Sequence, residues 1–153
     1  FWLHFKEKKA VNQTDYWQQH LKESDVASWR GIAFEEVCLL HISQIKYALH
    51  IGAVSSQESS LIVKGSEEAD GMQIDLLIDR ADDAVNVCEM KFYKAPYAVT
   101  KGYAQVLNSR LQALEEKNPA KTFLLTYVGN SELVSNEYSD IFKASVTLDD
   151  LFI

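Results

Sequence analysis

Two apolar segments joined by a short acidic turn constrain this chain more than any other feature. Gly71-Met72-Gln73-Ile74-Asp75-Leu76-Leu77-Ile78-Asp79 is followed, after Arg80-Ala81-Asp82-Asp83-Ala84, by Val85-Asn86-Val87-Cys88-Glu89-Met90-Lys91-Phe92. The pattern predicts two strands and a hairpin. Residues two apart on a strand share a face, so Glu89 and Lys91 point the same way as Val85 and Val87. If the turn is centred near Asp82, Asp75 lies opposite Glu89, and directly opposed residues of an antiparallel pair face the same side. A shift of the centre by half a residue would turn Asp75 to the other face, unless a bulge restores it.

Two carboxylates and an ammonium then converge on one patch of an otherwise apolar surface. Like charges held together are unfavourable unless a cation lies between them. Oxygen ligands of this kind suit Mg²⁺ or Mn²⁺. The ammonium could orient a water nucleophile or neutralise charge developing on a phosphate. The same residues would also serve as an ordinary ladder of ion pairs on the solvent face of a sheet.

Upstream, Trp29 to His50 reads as one long helix, with Ser24-Asp25 or Ser28 as candidate caps. Projected at about 100° per residue, Ile32, Phe34, Cys38, Leu39, Ile42, Ile45 and Leu49 form a broad apolar stripe. Glu35 falls inside that stripe, and Glu36 falls outside it, near Ser43, Gln44 and Tyr47. A carboxylate on a buried helix face requires a partner. Either Glu35 forms a structural ion pair, with Lys91 as a candidate, or it is a third acidic group at the Asp75/Glu89 centre.

The remaining elements follow in order. Ser55 to Val63 contains a strand, and Lys64 to Gly71 is a loop carrying Glu67, Glu68 and Asp70. After the hairpin, Pro96 marks a break. Tyr97 to Lys117 is a second amphipathic helix, with Val99, Tyr103, Val106 or Leu107, Leu111 and Leu114 inward. Asn118-Pro119 stops it. Thr122 to Val128 is an almost continuous apolar run, as expected of a central strand, and Ser145 to Leu148 is a last short one. The order αβββαβ predicts one α/β domain built on a mixed sheet with helices on its flanks.

These residues in this order resemble the PD-(D/E)XK nuclease superfamily, the restriction-endonuclease-like fold. The resemblance covers roughly residues 28 to 130 and rests on Asp75, on Glu89-x-Lys91 and on Gly31-x-x-Phe34-Glu35. The chain also resembles the C-terminal nuclease-like domain of prokaryotic, archaeal-type AAA ATPases, through Phe1-Trp2-Leu3-His4-Phe5, Trp29-Arg30-Gly31-Ile32-Ala33-Phe34-Glu35 and Cys88-Glu89-Met90-Lys91-Phe92. The resemblance implies that Asp75 and Glu89 ligate Mg²⁺ or Mn²⁺, that Glu35 completes the site and that Lys91 assists the attacking water. Ile74 stands where the superfamily motif has Pro. Many members carry a further polar residue on the second helix; Lys101 and Gln105 are the candidates, both on its hydrophilic face.

Length and composition bound the rest. The 153 residues, 47% of them hydrophobic, suffice for one domain with its own core. No apolar run is long enough for a membrane span, and no signal peptide is evident. Residues 1–27 read as a junction to an upstream ATPase domain, and 28–153 as the nuclease-like domain. Cys38 and Cys88 read as reduced core residues of a cytoplasmic protein. The four histidines, at 4, 20, 41 and 50, lack ligand spacing with one another. The net charge of −7 argues against strong autonomous DNA binding, which usually needs a basic surface. Lys64, Arg80, Lys91, Lys94 and Lys101 are candidates for a local positive rim. Two functions follow: metal-dependent phosphodiester hydrolysis of nucleic acid, DNA first, or a nuclease-fold module that docks on or regulates the ATPase without turnover.

Overall fold

The computed structural model describes residues 24–65 and 71–152. The junction read at 1–27 therefore lies outside the described residues up to position 23, as do loop acids Glu67, Glu68 and Asp70. Two consecutive helices open the described chain, α1 (Ser24–Leu40) and α2 (Ile42–Ala48). Three strands follow, β1 (Ser56–Val63), β2 (Met72–Arg80) and β3 (Ala84–Lys91). Helix α3 (Lys101–Lys117), β4 (Thr122–Gly129) and β5 (Ala144–Thr147) complete it, with short 3₁₀ turns at Ser139–Ile141 and Leu148–Phe152.

The chain is an α/β fold with a five-stranded mixed sheet in the order β1-β2-β3-β4-β5. The first two pairings are antiparallel and the last two parallel. Helices cover both faces. Phe34, Cys38 and Ile45 pack on Leu76, Ile78, Cys88, Met90 and Val128 on one side. Ala104, Leu107 and Leu114 pack on Val87, Leu125 and Tyr127 on the other. That double burial explains why β3 and β4 read as nearly continuous apolar runs. Among the described residues no helix is long and apolar enough to cross a membrane.

The hairpin has the expected register. Leu76 pairs with Cys88, Leu77 with Val87, Ile78 with Asn86 and Asp79 with Val85, the index sum of a turn centred on Asp82. Asp83 closes the turn at φ 60, a left-handed conformation that Asp tolerates better than most residues.

The long helix expected over 29–50 is in fact two, and the first starts at Ser24. The boundary expected between 27 and 28 falls inside α1, where Val26 is buried at 2% exposure. At the break, the His41 N–H donates to Cys38 O at 3.0 Å, tightening the last turn. His41 Nδ1 meets Val37 O at 2.7 Å, satisfying a carbonyl at the helix end. The buried face of α1 is also narrower than the expected stripe, because Ile32 and Leu39 lie well round the helix from Phe34 and Cys38. Phe34, Cys38 and Ile45 are buried, but Ile32 is 59% and Leu39 43% exposed. The second helix begins at Lys101 rather than Tyr97, because the Thr100 hydroxyl caps it by accepting the Tyr103 N–H at 3.2 Å. Leu107 is buried and Val106 exposed.

Candidate functional site

Strands β2 and β3 part company at the end remote from their turn. Their ladder ends at Leu76 and Cys88, and opposite this point β2 bulges against β1. Ser59 pairs with Leu77 but Leu61 with Ile74, so one β1 residue opposes both Asp75 and Leu76. The bulge moves Ile74 into the core beneath α3, alongside Leu77. Asp75 is left at the seam, where its Oδ2 accepts the Met90 N–H at 2.9 Å. A side chain thus replaces the backbone partner that the diverging strand withdraws.

Glu89 lies two residues from Lys91 on β3 and is buried, with 4% exposure. Its carboxylate is held from three directions. Lys91 Nζ reaches Oε1 at 2.6 Å. The Tyr103 hydroxyl of α3 donates to the same oxygen. Arg110 Nη1, about two turns further along α3, meets Oε2 at 3.3 Å. Lys91 Nζ also sits 5.0 Å from the centroid of the Tyr103 ring. Burial works to lower the Lys91 pKa. The Glu89 charge and hydrogen bonds to Glu89 and Tyr103 outweigh it and hold the ammonium above its ordinary value.

Glu35 is half-buried and Glu36 exposed, as the projection of α1 requires. Burial raises the Glu35 carboxyl, the charges of Asp75 and Glu89 raise it further, and Lys91 opposes them. Asp75 is likewise raised, first by burial and then by Glu89, against the Met90 N–H, Lys91 and Arg110. Buried Cys38 is pushed up to about 12 by desolvation, with Glu35 and Asp75 adding to it. Glu35, Asp75, Glu89 and Lys91 therefore form one electrostatic centre at the mouth between β2 and β3.

The structure brings together all four sequence-derived residues, with two additions. Tyr103 reads from the sequence as inward-facing, without a role. Arg110 goes unnoticed there, although it lies almost directly above Tyr103 and on the stripe of Leu107 and Leu114. A cation inside an apolar stripe is the same signal that singles out Glu35. Lys101 and Gln105 are exposed on the far side of α3. Arg80 does not belong to the rim: it sits at the turn end of the hairpin, paired with Asp82 and bonded to Asn86. Arg30 takes its place, its guanidinium 4.7 Å from the Phe92 ring centroid. A cavity of about 520 Å³ adjoins the centre, lined by Arg30, Glu35, Lys91, Phe92, Tyr93 and Lys94 among others.

As a cation site, the donor set is hard oxygen throughout. Among the described residues Glu35 and Asp75 enter no ion pair; the Asp75 charge raises the Glu35 carboxyl, and Lys91, with Arg110 at Asp75, offsets only part of their negative charge. That demand fits a divalent cation. Glu89 fits only by exchange, since Lys91, Tyr103 and Arg110 occupy it. Among the described residues no three His, Cys, Asp or Glu side chains are grouped closely enough to hold a metal ion.

No protein-family model matches the chain, and no curated protein matches it. A solved structure to which it is similar is the crystal structure of a protein of unknown function, AF1548, at a TM-score of 0.48 and 15% sequence identity. The match covers 71% of this chain and 61% of that one, less than two thirds of its length.

Proposed function

We propose that this chain hydrolyses phosphodiester bonds in nucleic acid, DNA in the first instance, with Glu35 and Asp75 holding Mg²⁺ or Mn²⁺ beside Lys91. The observation that carries the reading is the pair Glu35 and Asp75, neither in an ion pair among the described residues, next to a firmly protonated lysine at an opening in the sheet. A divalent cation, when bound there, would polarise a phosphate oxygen and acidify water. Lys91 stays an ammonium at neutral pH, so it donates rather than accepts. It positions the attacking water or stabilises charge on a non-bridging phosphate oxygen. Glu35 lines the cavity and brings its carboxylate to the side of the site from which a substrate would enter. Asp75 is fixed in direction by its bond from Met90.

The test is titration with Mn²⁺ followed by cleavage of supercoiled DNA, for wild type, Asp75→Asn and Lys91→Ala. Weaker metal binding in Asp75→Asn, and metal binding without cutting in Lys91→Ala, support the reading. A wild-type chain that neither binds Mn²⁺ nor cuts rules it out.

One observation favours a second reading, a nuclease-fold module that regulates or docks on the ATPase without turnover. Glu89 is neutralised within the protein by Lys91 and Arg110, so the fold does not depend on a cation at that residue. Under this reading packing is intact, Mn²⁺ has no effect on stability, and deletion of the chain alters ATPase behaviour.

A further inference from the structure

The cavity beside the centre holds a rigid aromatic surface next to cations that have no described acidic partner. Tyr93 lines it and is 47% exposed. Its backbone is clamped by Asn130, whose Oδ1 accepts the Tyr93 N–H at 2.8 Å while its Nδ2 donates to Tyr93 O at 2.8 Å. The ring stacks on Tyr97, with centroids 4.9 Å apart and planes at 16°. Tyr97 in turn lies parallel to buried Tyr127, at 5.9 Å and 4°, and Phe142 abuts Tyr127 edge-on at 5.7 Å. Tyr93 is thus the exposed end of a column anchored in the core. Its ordering is complete before anything binds.

The charges around it are also arranged. Arg30 is steadied over Phe92, which packs on Phe34 at 5.7 Å. Lys94 is exposed, and Lys91, half-buried, also lines the cavity. Among the described residues Arg30 and Lys94 form no ion pair. Arg30 and Lys94 are therefore cations without a described ion pair on a lining that also carries Glu35 and Lys91, the latter bound to Glu89, in a chain whose net charge is −7. A positive groove beside a fixed aromatic face is the combination that binds unpaired nucleotides: cations follow the backbone while bases stack. A duplex keeps its bases stacked on each other and offers the ring nothing.

We propose that this cavity binds an unpaired nucleotide of a DNA single strand, its base stacked on Tyr93 and its flanking phosphates held by Arg30 and Lys94. The inference names the substrate class of the site and rests on reading that site as a phosphodiesterase. The strand would run from the Tyr93 platform towards Lys91, delivering the next phosphate to Glu35 and Asp75.

The experiment is fluorescence anisotropy of the 153-residue chain with a labelled oligothymidylate and with a labelled duplex of equal length, at low salt in EDTA. Without metal there is no turnover, so binding is read apart from hydrolysis. The single strand should bind more tightly than the duplex. Tyr93→Ala should weaken single-strand binding between about fivefold and about 150-fold, the range that loss of one stacking aromatic produces. Tyr93→Phe should stay within about twofold, because the π-face is kept. Lys94→Gln, on an exposed side chain, should reduce the slope of log affinity against log salt by about 0.7 for a single strand. Circular dichroism checks that each variant is folded. Equal binding of duplex and single strand, no binding by the wild type, or an unchanged affinity and salt slope in the variants would overturn the proposal. Retained single-strand binding with no Mn²⁺-dependent cutting would sink the phosphodiesterase reading alone. Cutting of duplex without single-strand preference would sink the platform alone.

Discussion

The Tyr103 hydroxyl and the Lys91 ammonium meet on the same oxygen of Glu89, one from α3 and one from β3. The contact ties the helix on one face of the sheet to the strand that carries the centre. It also fixes the charge state around it: Glu89 is shared among donors, and Lys91 is held protonated. The carboxylates of the centre left without an ion pair among the described residues are Glu35 and Asp75.

Tyr103→Phe removes one donor and leaves ring packing in place. Hydrogen bonds to charged groups contribute about 1.5–3 kcal/mol, and a loss near the lower value is expected because Lys91 and Arg110 remain on Glu89. Urea denaturation in EDTA should show the midpoint falling with an unchanged slope. The same variant should bind Mn²⁺ more tightly than wild type, since Glu89 is freer to turn. An unchanged midpoint would mean the contact contributes nothing.

Glu89→Ala leaves two cations facing each other across a cavity. Removing one partner of a buried pair destabilises by about 3–5 kcal/mol, and the low end applies here because Lys91 and Arg110 retain some solvent. Glu89→Gln keeps acceptors for Tyr103 and Arg110 and should lose less. Thermal melts of the two variants would separate charge from hydrogen bonding. Equal losses would point to packing instead.

The hairpin register and the contrast between Glu35 and Glu36 are legible in the sequence because both follow from periods of the backbone itself. A three-residue turn centred on Asp82 leaves one index sum, and the apolar stripe of α1 leaves one phase near Phe34 and Cys38. The break at His41 is not legible. No Pro or Gly marks it, and it rests on local bonds to Val37 and Cys38. The exposure of Ile32 and Leu39 has another origin: both lie on α1 itself, more than about 90° around its axis from Phe34 and Cys38, so the buried face is narrower than the apolar stripe. The bulge at Asp75 is equally hidden, since it depends on how β1 pairs with β2. The commitment of Glu89 to α3 depends on Arg110, and only tertiary packing brings that residue across.

Asp75→Asn should stabilise the metal-free protein at neutral pH. The sign follows from proton linkage. The folded-state pKa of Asp75 is raised by burial and by Glu89, so the folded state holds the proton more tightly than the unfolded chain. Stability therefore falls as pH rises from the ordinary carboxylate value of about 4 through the raised one. Asn keeps an acceptor for the Met90 N–H and carries no charge. Its advantage should be present above that window and close as pH drops below it, with Glu35 contributing in the same direction. Melting curves in EDTA from acid to neutral pH measure this. Added Mn²⁺ should reverse the order, because wild type alone gains a ligand pair. An advantage that persists at acid pH would trace the effect to something other than ionisation.

Gly129→Ala probes the support beneath the centre. Gly129 pairs with Lys91 across β3 and β4, and the ring of Tyr127 lies over it so closely that an added Cβ would collide with the ring atoms. Tyr127 is fully buried and its hydroxyl donates to Ser131 O at 3.1 Å. The ring cannot swing aside without leaving Tyr97, Phe142 and that carbonyl together. Overpacking at such a site costs about 1–3 kcal/mol. The strain should also reach the surface, since Tyr93 stacks on Tyr97 and Tyr97 on Tyr127. The expected outcome is a lower melting temperature together with a changed near-ultraviolet tyrosine signal and weaker single-strand binding, although Gly129 lines neither the cavity nor the acidic centre. A lower melting temperature with single-strand binding intact would show that the column does not hold Tyr93 in place.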